Sequence, residues 1–175
     1  MTDLAAHGIG VNLPAGWEGR VFRRPAHGEV AAAAADGSPA PPGEVTSTVL
    51  HAATVPLPPD AGDFASGAVA SLGPSDVLVV LVEYDAGSAS APLFARVSPV
   101  PRSVGTDDFS PRMLQRALAG QAGYQQFANE VGRAFCLYVV LGGFRNRARL
   151  VPRANALLST LTVAPAVPAP APHGP

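Results

Sequence analysis

The sequence predicts one α+β domain built on a mostly antiparallel sheet sandwiched by helices. Three observations predict it. Residues 77–84 and 135–141 are apolar on both strand faces, which requires cover above and below the sheet. Helix start, stop or spacing signals occur at 63–72, 110–118 and 152–161, fore, mid and aft of those strands. The connections are short, which favours antiparallel pairing.

In chain order, residues 8–13 alternate loosely and read as a strand, stopped by Pro14-Ala15-Gly16. Residues 17–23 read as a second strand closed by Pro25, and the pair reads as a hairpin. Residues 25–44, with Pro39-Ala40-Pro41-Pro42-Gly43, form a long Ala-, Gly- and Pro-rich loop, expected to be flexible. Residues 45–55 are a Thr- and Val-rich strand with Val45, Val49, His51, Ala53 and Val55 on one face, ended by Pro56, Pro58 and Pro59. A short helix follows from Asp63, its N-cap, to Leu72, with Gly73-Pro74 as the stop. Residues 77–84 are the central strand, and 93–97 are candidates to pair with it. Ser110-Pro111 opens a helix that ends near Leu118, with a capping hydroxyl followed by proline at the first helical position. In 121–131, Tyr124, Phe127, Ala128 and Val131 follow helical spacing, while Gly132 suits a hairpin turn; a strand is the favoured reading. The final helix is placed at 152–161, with Ala154, Leu157, Leu158 and Leu161 facing inward. The domain covers 1–163, and 164–175, almost all Ala, Pro, Val and Gly, is expected to be disordered.

Composition narrows the class. Of 175 residues, 47% are apolar and 14% charged, an ordinary core with few surface charges. All basic residues are arginine, which suggests a GC-rich coding genome. No apolar run reaches the length that spans a bilayer, and the first residues lack a signal-peptide pattern. The single Cys136 excludes an internal disulfide and a multi-cysteine metal site, so a cytoplasmic location is expected. The net charge of −1 hides an asymmetry. Residues 1–101 hold four Arg against ten acids, and 102–153 hold eight Arg against three acids. Either the two parts neutralise each other in the fold, or a basic patch meets an acidic partner.

The opening Gly-Ile-Gly-Val-Asn-Leu-Pro-Ala-Gly-Trp-Glu-Gly, residues 8–19, resembles the first hairpin of the PsbP-like superfamily, which includes DcrB-like bacterial proteins. The end is similar too, with Gly132-Arg133 leading into Phe135-Cys136-Leu137-Tyr138-Val139-Val140 and a closing helix carrying Leu157-Leu158-Ser159-Thr160-Leu161. The resemblance implies a PsbP-like α+β sandwich and a non-enzymatic adaptor, assembly factor or chaperone. It carries over no binding residue, because the family has no shared site motif.

Candidate chemistry is sparse. Cys136 and His51 are the one thiol–imidazole combination, with Glu83 or Asp85 to orient the base. Against it, Cys136 lies in a strand apolar on both faces, where a cysteine packs as an inert hydrophobe. His7, His27, His51 and His173 show no metal-ligand spacing. Asp107-Asp108 precedes the 110–118 helix, where negative charge suits the dipole. Trp17 reads as a core anchor of the first strands, with an interface role as the alternative.

Gly142-Gly143 follows a strand and leads through Arg145, Arg147, Arg149 and Arg153 to a helix. It lacks the lysine and hydroxyl of a P-loop and the glycine spacing of a dinucleotide fold. Arginine forks beside a helix start still favour anions, against the alternative of a solvated turn. With no aromatic platform beside these arginines, nucleic acid is not expected. The expected function is a non-enzymatic protein-binding adaptor, chaperone or assembly factor, with no cofactor, no metal and no membrane insertion. The alternative is an anion or small-molecule binder using Arg145, Arg147, Arg149 and Arg153; a cysteine-dependent enzyme comes third.

Overall fold

The computed structural model describes residues 1–25, 46–59, 62, 64–114 and 118–165. The chain is an α+β protein, mostly β, with two antiparallel sheets and one main helix. Strands β1 (Thr2–Ala6), β2 (Ile9–Leu13) and β8 (Thr162–Val163) form a three-stranded sheet in the order β1-β2-β8. Strands β3 (Glu18–Pro25), β4 (Thr46–Ala53), β5 (Val77–Glu83), β6 (Ala122–Glu130) and β7 (Arg133–Leu141) form the larger sheet, ordered β3-β4-β5-β7-β6. Helix α1 spans Ser66–Ser71 and α2 spans Arg147–Leu158.

β5 sits in the middle of the large sheet, as its unbroken Val-Leu pattern requires, with residues 77–82 fully buried. Its two faces feed two cores. Val77, Val79 and Leu81 join Leu137, Val139 and Leu141 of β7, the β2 residues Ile9, Val11 and Leu13, and the α2 residues Leu150, Ala154, Leu157 and Leu158. Leu78, Val80 and Val82 join Val49, Tyr138 and Val140, covered by Leu57, Ala65, Ala68, Val69 and Leu72. Each Val or Leu buried this way contributes about 1.5–3 kcal/mol of transfer free energy, so the sheet is fixed by having both faces covered.

The antiparallel α+β class is as the sequence reads, but the layers differ. The first core is covered by α2 together with the small sheet, rather than by helices alone. The cause is the turn at Pro14–Trp17, where Trp17 N donates to Pro14 O at 3.2 Å. It is a corner between sheets and not a hairpin: β2 pairs with β1 and β8, while β3 pairs with β4.

Further corrections follow the same competition between local signals and packing. Residues 93–97 pair with no strand; turns occupy them, and Phe94 is buried against Tyr84 and Phe127 with ring centroids 5.1 and 5.6 Å away. β4 and β7 take both edges of β5 instead. Ser110 does cap, its Oγ accepting from Arg112 N at 3.2 Å, but it caps a single 3-10 turn, Pro111–Met113, and not an α-helix. α2 begins at Arg147 and holds Pro152 in its interior. Proline removes one helical hydrogen bond there, yet burial of Leu150 and Val151 draws the preceding turn into the helix. Asp63 and the 26–45 and 166–175 segments lie outside the described residues; α1 has Ala65 at its N-cap, with no side-chain cap. Ordered pairing extends to Ala164, whose N–H donates to Gly8 O at 2.8 Å.

The strand reading of 121–131 is correct as β6, and its turn into β7 is tight. Glu130 and Arg133 are paired, so Val131 and Gly132 alone make the turn, with φ of 50° and 77°. Both positive φ values define a type I′ turn, which favours Asn-Gly. A β-branched residue is strained there, and Val131 is exposed, so no packing compensates. Val131→Asn is expected to raise stability by about 1 kcal/mol, read as a higher urea midpoint at unchanged slope. An unchanged or lower midpoint would show that the valine side chain is held by something other than this turn.

Candidate functional site

One end of the large sheet gathers the starts of β5 and β6 and the end of β7, because Val77, Leu141 and Ala122 stand in one row of the register. The flanking segments are laced together there. Gly142 N donates to Asp76 O at 2.9 Å, Phe144 N to Gly120 O at 2.7 Å, and Asn146 Nδ2 to Pro74 O at 2.9 Å. The approach is so close that a Cβ at Gly142 would stand 1.9 Å from Gly73 O, and one at Gly143 would stand 2.5 Å from Pro74 O. These glycines therefore serve loop packing: backbone carbonyl oxygens occupy the space beside them, the opposite of a phosphate cradle.

Between the laced segments lies a cleft of about 600 Å³, with Pro74, Leu118, Gln121, Phe144 and Arg145 in its walls. That volume falls in the range of small-molecule sites. Gln121 is 5% exposed; its Nε2 donates to Val69 O at 3.0 Å, while its buried Oε1 has no hydrogen-bond partner. No motif in the sequence marks Gln121, Pro74 or Leu118, which only strand pairing brings together.

The four predicted arginines are brought near this end but not into one cluster. Arg145 is exposed on the 3-10 turn Phe144–Asn146, at the cleft. The Arg147 guanidinium stands 4.7 Å from the centre of the Phe144 ring. Arg149 Nη2 donates to Ser75 Oγ at 2.9 Å, and Arg153 Nη1 donates to Ser75 O at 2.6 Å. The reading of a loop ending at Pro152 is thus corrected: Arg147 and Arg149 are helical, as Arg153 was expected to be. Among the described residues none of the four meets a carboxylate, whereas Arg102 and Arg133 pair with Glu130 and Glu83. The start of α2 also has no acid in its first turn and no side-chain cap, while Asn146 Nδ2 donates to Pro74 O. Positive side chains at the positive end of a helix dipole repel it. An anion there would relieve both charges at once.

The other candidates fall elsewhere. Cys136 and His51 are both fully buried on the same sheet face, but β5 runs between their strands, and the register sets them two residues apart along the chain direction. Burial pushes the Cys136 thiol up, against a hydrogen bond from Gln125 Nε2 at 3.3 Å that lowers it. A thiol raised in this way is a poor nucleophile. His7 sits in the β1–β2 turn at a φ of 53°, and His27 and His173 lie outside the described residues. Among the described residues no three His, Cys, Asp or Glu side chains are grouped to hold a metal. Asp108 Oδ2 accepts from Gly105 N at 2.7 Å, closing a 3-10 turn rather than preceding an α-helix. Trp17 is half-buried against the first core.

Among the described residues no helix is long and apolar enough to cross a membrane. No family model matches the chain, and no curated protein or solved structure does.

Proposed function

We propose that this chain is a non-enzymatic binding protein that takes an anionic group of its partner at the start of α2. One observation carries this reading: Arg145, Arg147, Arg149 and Arg153 crowd the first turns of α2 with no carboxylate partner among the described residues. Uncompensated charge at a helix start costs folding free energy, and a bound anion offsets that cost. The adaptor, chaperone or assembly-factor reading is the second. It is supported by the resemblance of residues 8–19, 132–140 and 157–161 to PsbP-like proteins, and would have the same arginines meet an acidic protein segment.

The test is thermal unfolding of the 175-residue chain with tripolyphosphate against chloride at matched ionic strength. Tripolyphosphate at about 100 times its dissociation constant is expected to stabilise by about 2.7 kcal/mol. The shift should vanish in a variant with Arg145, Arg147 and Arg149 all changed to Glu. Arg149 also holds Ser75, so Arg145→Glu alone, at an exposed side chain with no partner to lose, serves as the second variant. Equal stabilisation of wild type and both variants would defeat the anion reading. A stoichiometric protein partner, retained by wild type and lost in the triple variant without any tripolyphosphate shift, would favour the adaptor.

A further inference from the structure

The geometry points to the outer edge of β3 as the seam of a symmetric dimer, in which the strand pairs antiparallel with β3 of a second copy. This inference is independent of the anion reading. The ladder fixes which backbone groups face outward. Thr54, just past β4, donates through its N–H to Val77 O at 3.0 Å, and Thr48 N donates to Glu83 Oε2 at 3.2 Å. Even-numbered residues along β4 therefore face β5, and odd-numbered ones face β3, where their partners are Glu18, Arg20, Phe22 and Arg24. That leaves the N–H and C=O groups of Gly19, Val21 and Arg23 on the far side, where no strand pairs with them among the described residues. Such an edge is a template for another strand.

The sequence of β3 makes its own copy the occupant. Centring the pair on Val21 sets Val21 against Val21, Gly19 against Arg23 and Glu18 against Arg24 of the second copy. Every outward N–H then meets an outward C=O, because residues 19, 21 and 23 map onto one another. Sliding the copies by the two residues that keep donors facing acceptors sets Arg20 against Arg20 in one direction and against Arg24 in the other. Like charges directly opposite are destabilising, so the arginines guard the edge against other registers and permit this one. The side chains agree with it. Val21, half-buried against the first core, meets its own copy at the centre. Exposed Arg23 falls opposite Gly19 and diagonal to Trp17, which packs on the same core as Val21 and lies within reach of a long side chain. Exposed Glu18 falls opposite Arg24, an opposite-charge pair that the two-fold axis makes twice.

The test is sedimentation velocity of the 175-residue chain, run from about 1 µM to about 1 mM because an edge seam is small and belongs with the weak interfaces. A reversible monomer–dimer equilibrium is expected within that range. On concentrating, amide hydrogen exchange at Gly19, Val21 and Arg23 should slow, while Glu18, Arg20 and Phe22, already bonded to β4, stay unchanged. Emission of the single tryptophan, Trp17, should shift over the same range. Glu18→Arg changes an exposed side chain, sets like charges opposite each other twice and should weaken the dimer by about tenfold. Val21→Pro removes one outward N–H without touching the β3–β4 ladder and should leave a monomer; should proline unfold the strand, Glu18→Arg decides alone. Arg145→Glu should leave the dimer as tight as wild type, which separates this seam from the anion site. A chain that stays monomeric at the highest concentration, a Val21 amide whose exchange ignores concentration, or a dimer as tight in Glu18→Arg as in wild type overturns the seam.

Discussion

Replacing Arg133 with methionine is expected to cost the fold about 3–5 kcal/mol. Arg133 and Glu83 are 5% and 16% exposed as side chains, joined by Nε to Oε1 at 2.7 Å and Nη2 to Oε2 at 2.8 Å. The same guanidinium donates to Gly8 O at 3.2 Å, Ala164 O at 2.9 Å and His7 O at 3.2 Å, and lies 5.2 Å from the Phe135 ring centre. One side chain thus binds β5, the β1–β2 turn and the end of β8 to β7. Methionine keeps the apolar stem but takes one donor from each of three carbonyls and leaves the buried carboxylate without its counter-charge. Changing Glu83 to Gln as well should restore part of the loss, since it removes the orphaned charge. A loss below about 1 kcal/mol would mean the pair is solvated like a surface bridge.

The pair also sets a pH dependence that distinguishes the two proteins. Burial alone would raise the Glu83 carboxyl, but hydrogen bonds from Arg133 and Thr48, with the charge of Arg133, outweigh it and hold it below its ordinary 4.5. A carboxyl lowered on folding adds stability that is full above the unfolded value and is lost as pH falls through the folded value. Wild type should therefore weaken as pH drops below about 4.5 through this group. In Arg133→Met the hydrogen bonds and charge of Arg133 are gone while burial and the Thr48 hydrogen bonds remain, so the carboxyl rises from its wild-type position and that variant loses less stability than wild type as pH falls through the same region. Urea midpoints measured across this range read both slopes, and parallel curves for the two proteins would exclude Glu83 as their source.

Gly142→Ala is the second large effect. Its Cβ would meet Gly73 O at 1.9 Å and Leu72 Cβ at 3.2 Å, and both neighbours belong to backbone or core rather than to a movable side-chain tip. The β7–α2 loop must then part from the segment before β5, breaking the Gly142 N to Asp76 O bond. Overpacking of this kind costs about 1–3 kcal/mol and more where backbone must move. Ala at Gly16, where a Cβ meets nothing but φ is 79°, provides the contrast of conformational strain without a clash. Gly142→Ala should unfold at lower urea than Gly16→Ala. Equal midpoints for the two would show that the loop yields at little cost.

Much of the fold was legible because it is written in local patterns. The unbroken Val-Leu run of 77–82 can only be a strand covered on both faces, and residues 135–141 repeat the argument. Ala154, Leu157 and Leu158 declare an inward helix face by spacing alone and are buried on α2, while Leu161 is buried beyond the end of the helix at Leu158. The arginines around the start of α2 were visible as a charge run. Their lack of carboxylate partners among the described residues was not, because it depends on where Glu83, Glu130 and the other described acids come to lie.

By itself, then, the sequence determined the α+β class, the central position of β5, the strand character of β6 and the basic character of the 145–153 segment. Tertiary structure decided the rest where local signals were weak or in competition. Pro14-Ala15-Gly16 marks a turn equally well for a hairpin or for a corner between sheets, and only the core shared by β2 and α2 selects the corner. Pro152 marks a helix start as well as it tolerates a helix interior, and burial of Leu150 and Val151 selects the interior. The cleft has no sequence signature, because Pro74, Gln121 and Phe144 are distant in the chain and meet only through the pairing of β5, β7 and β6. Periodicity reports what a segment buries, and not what it is buried against.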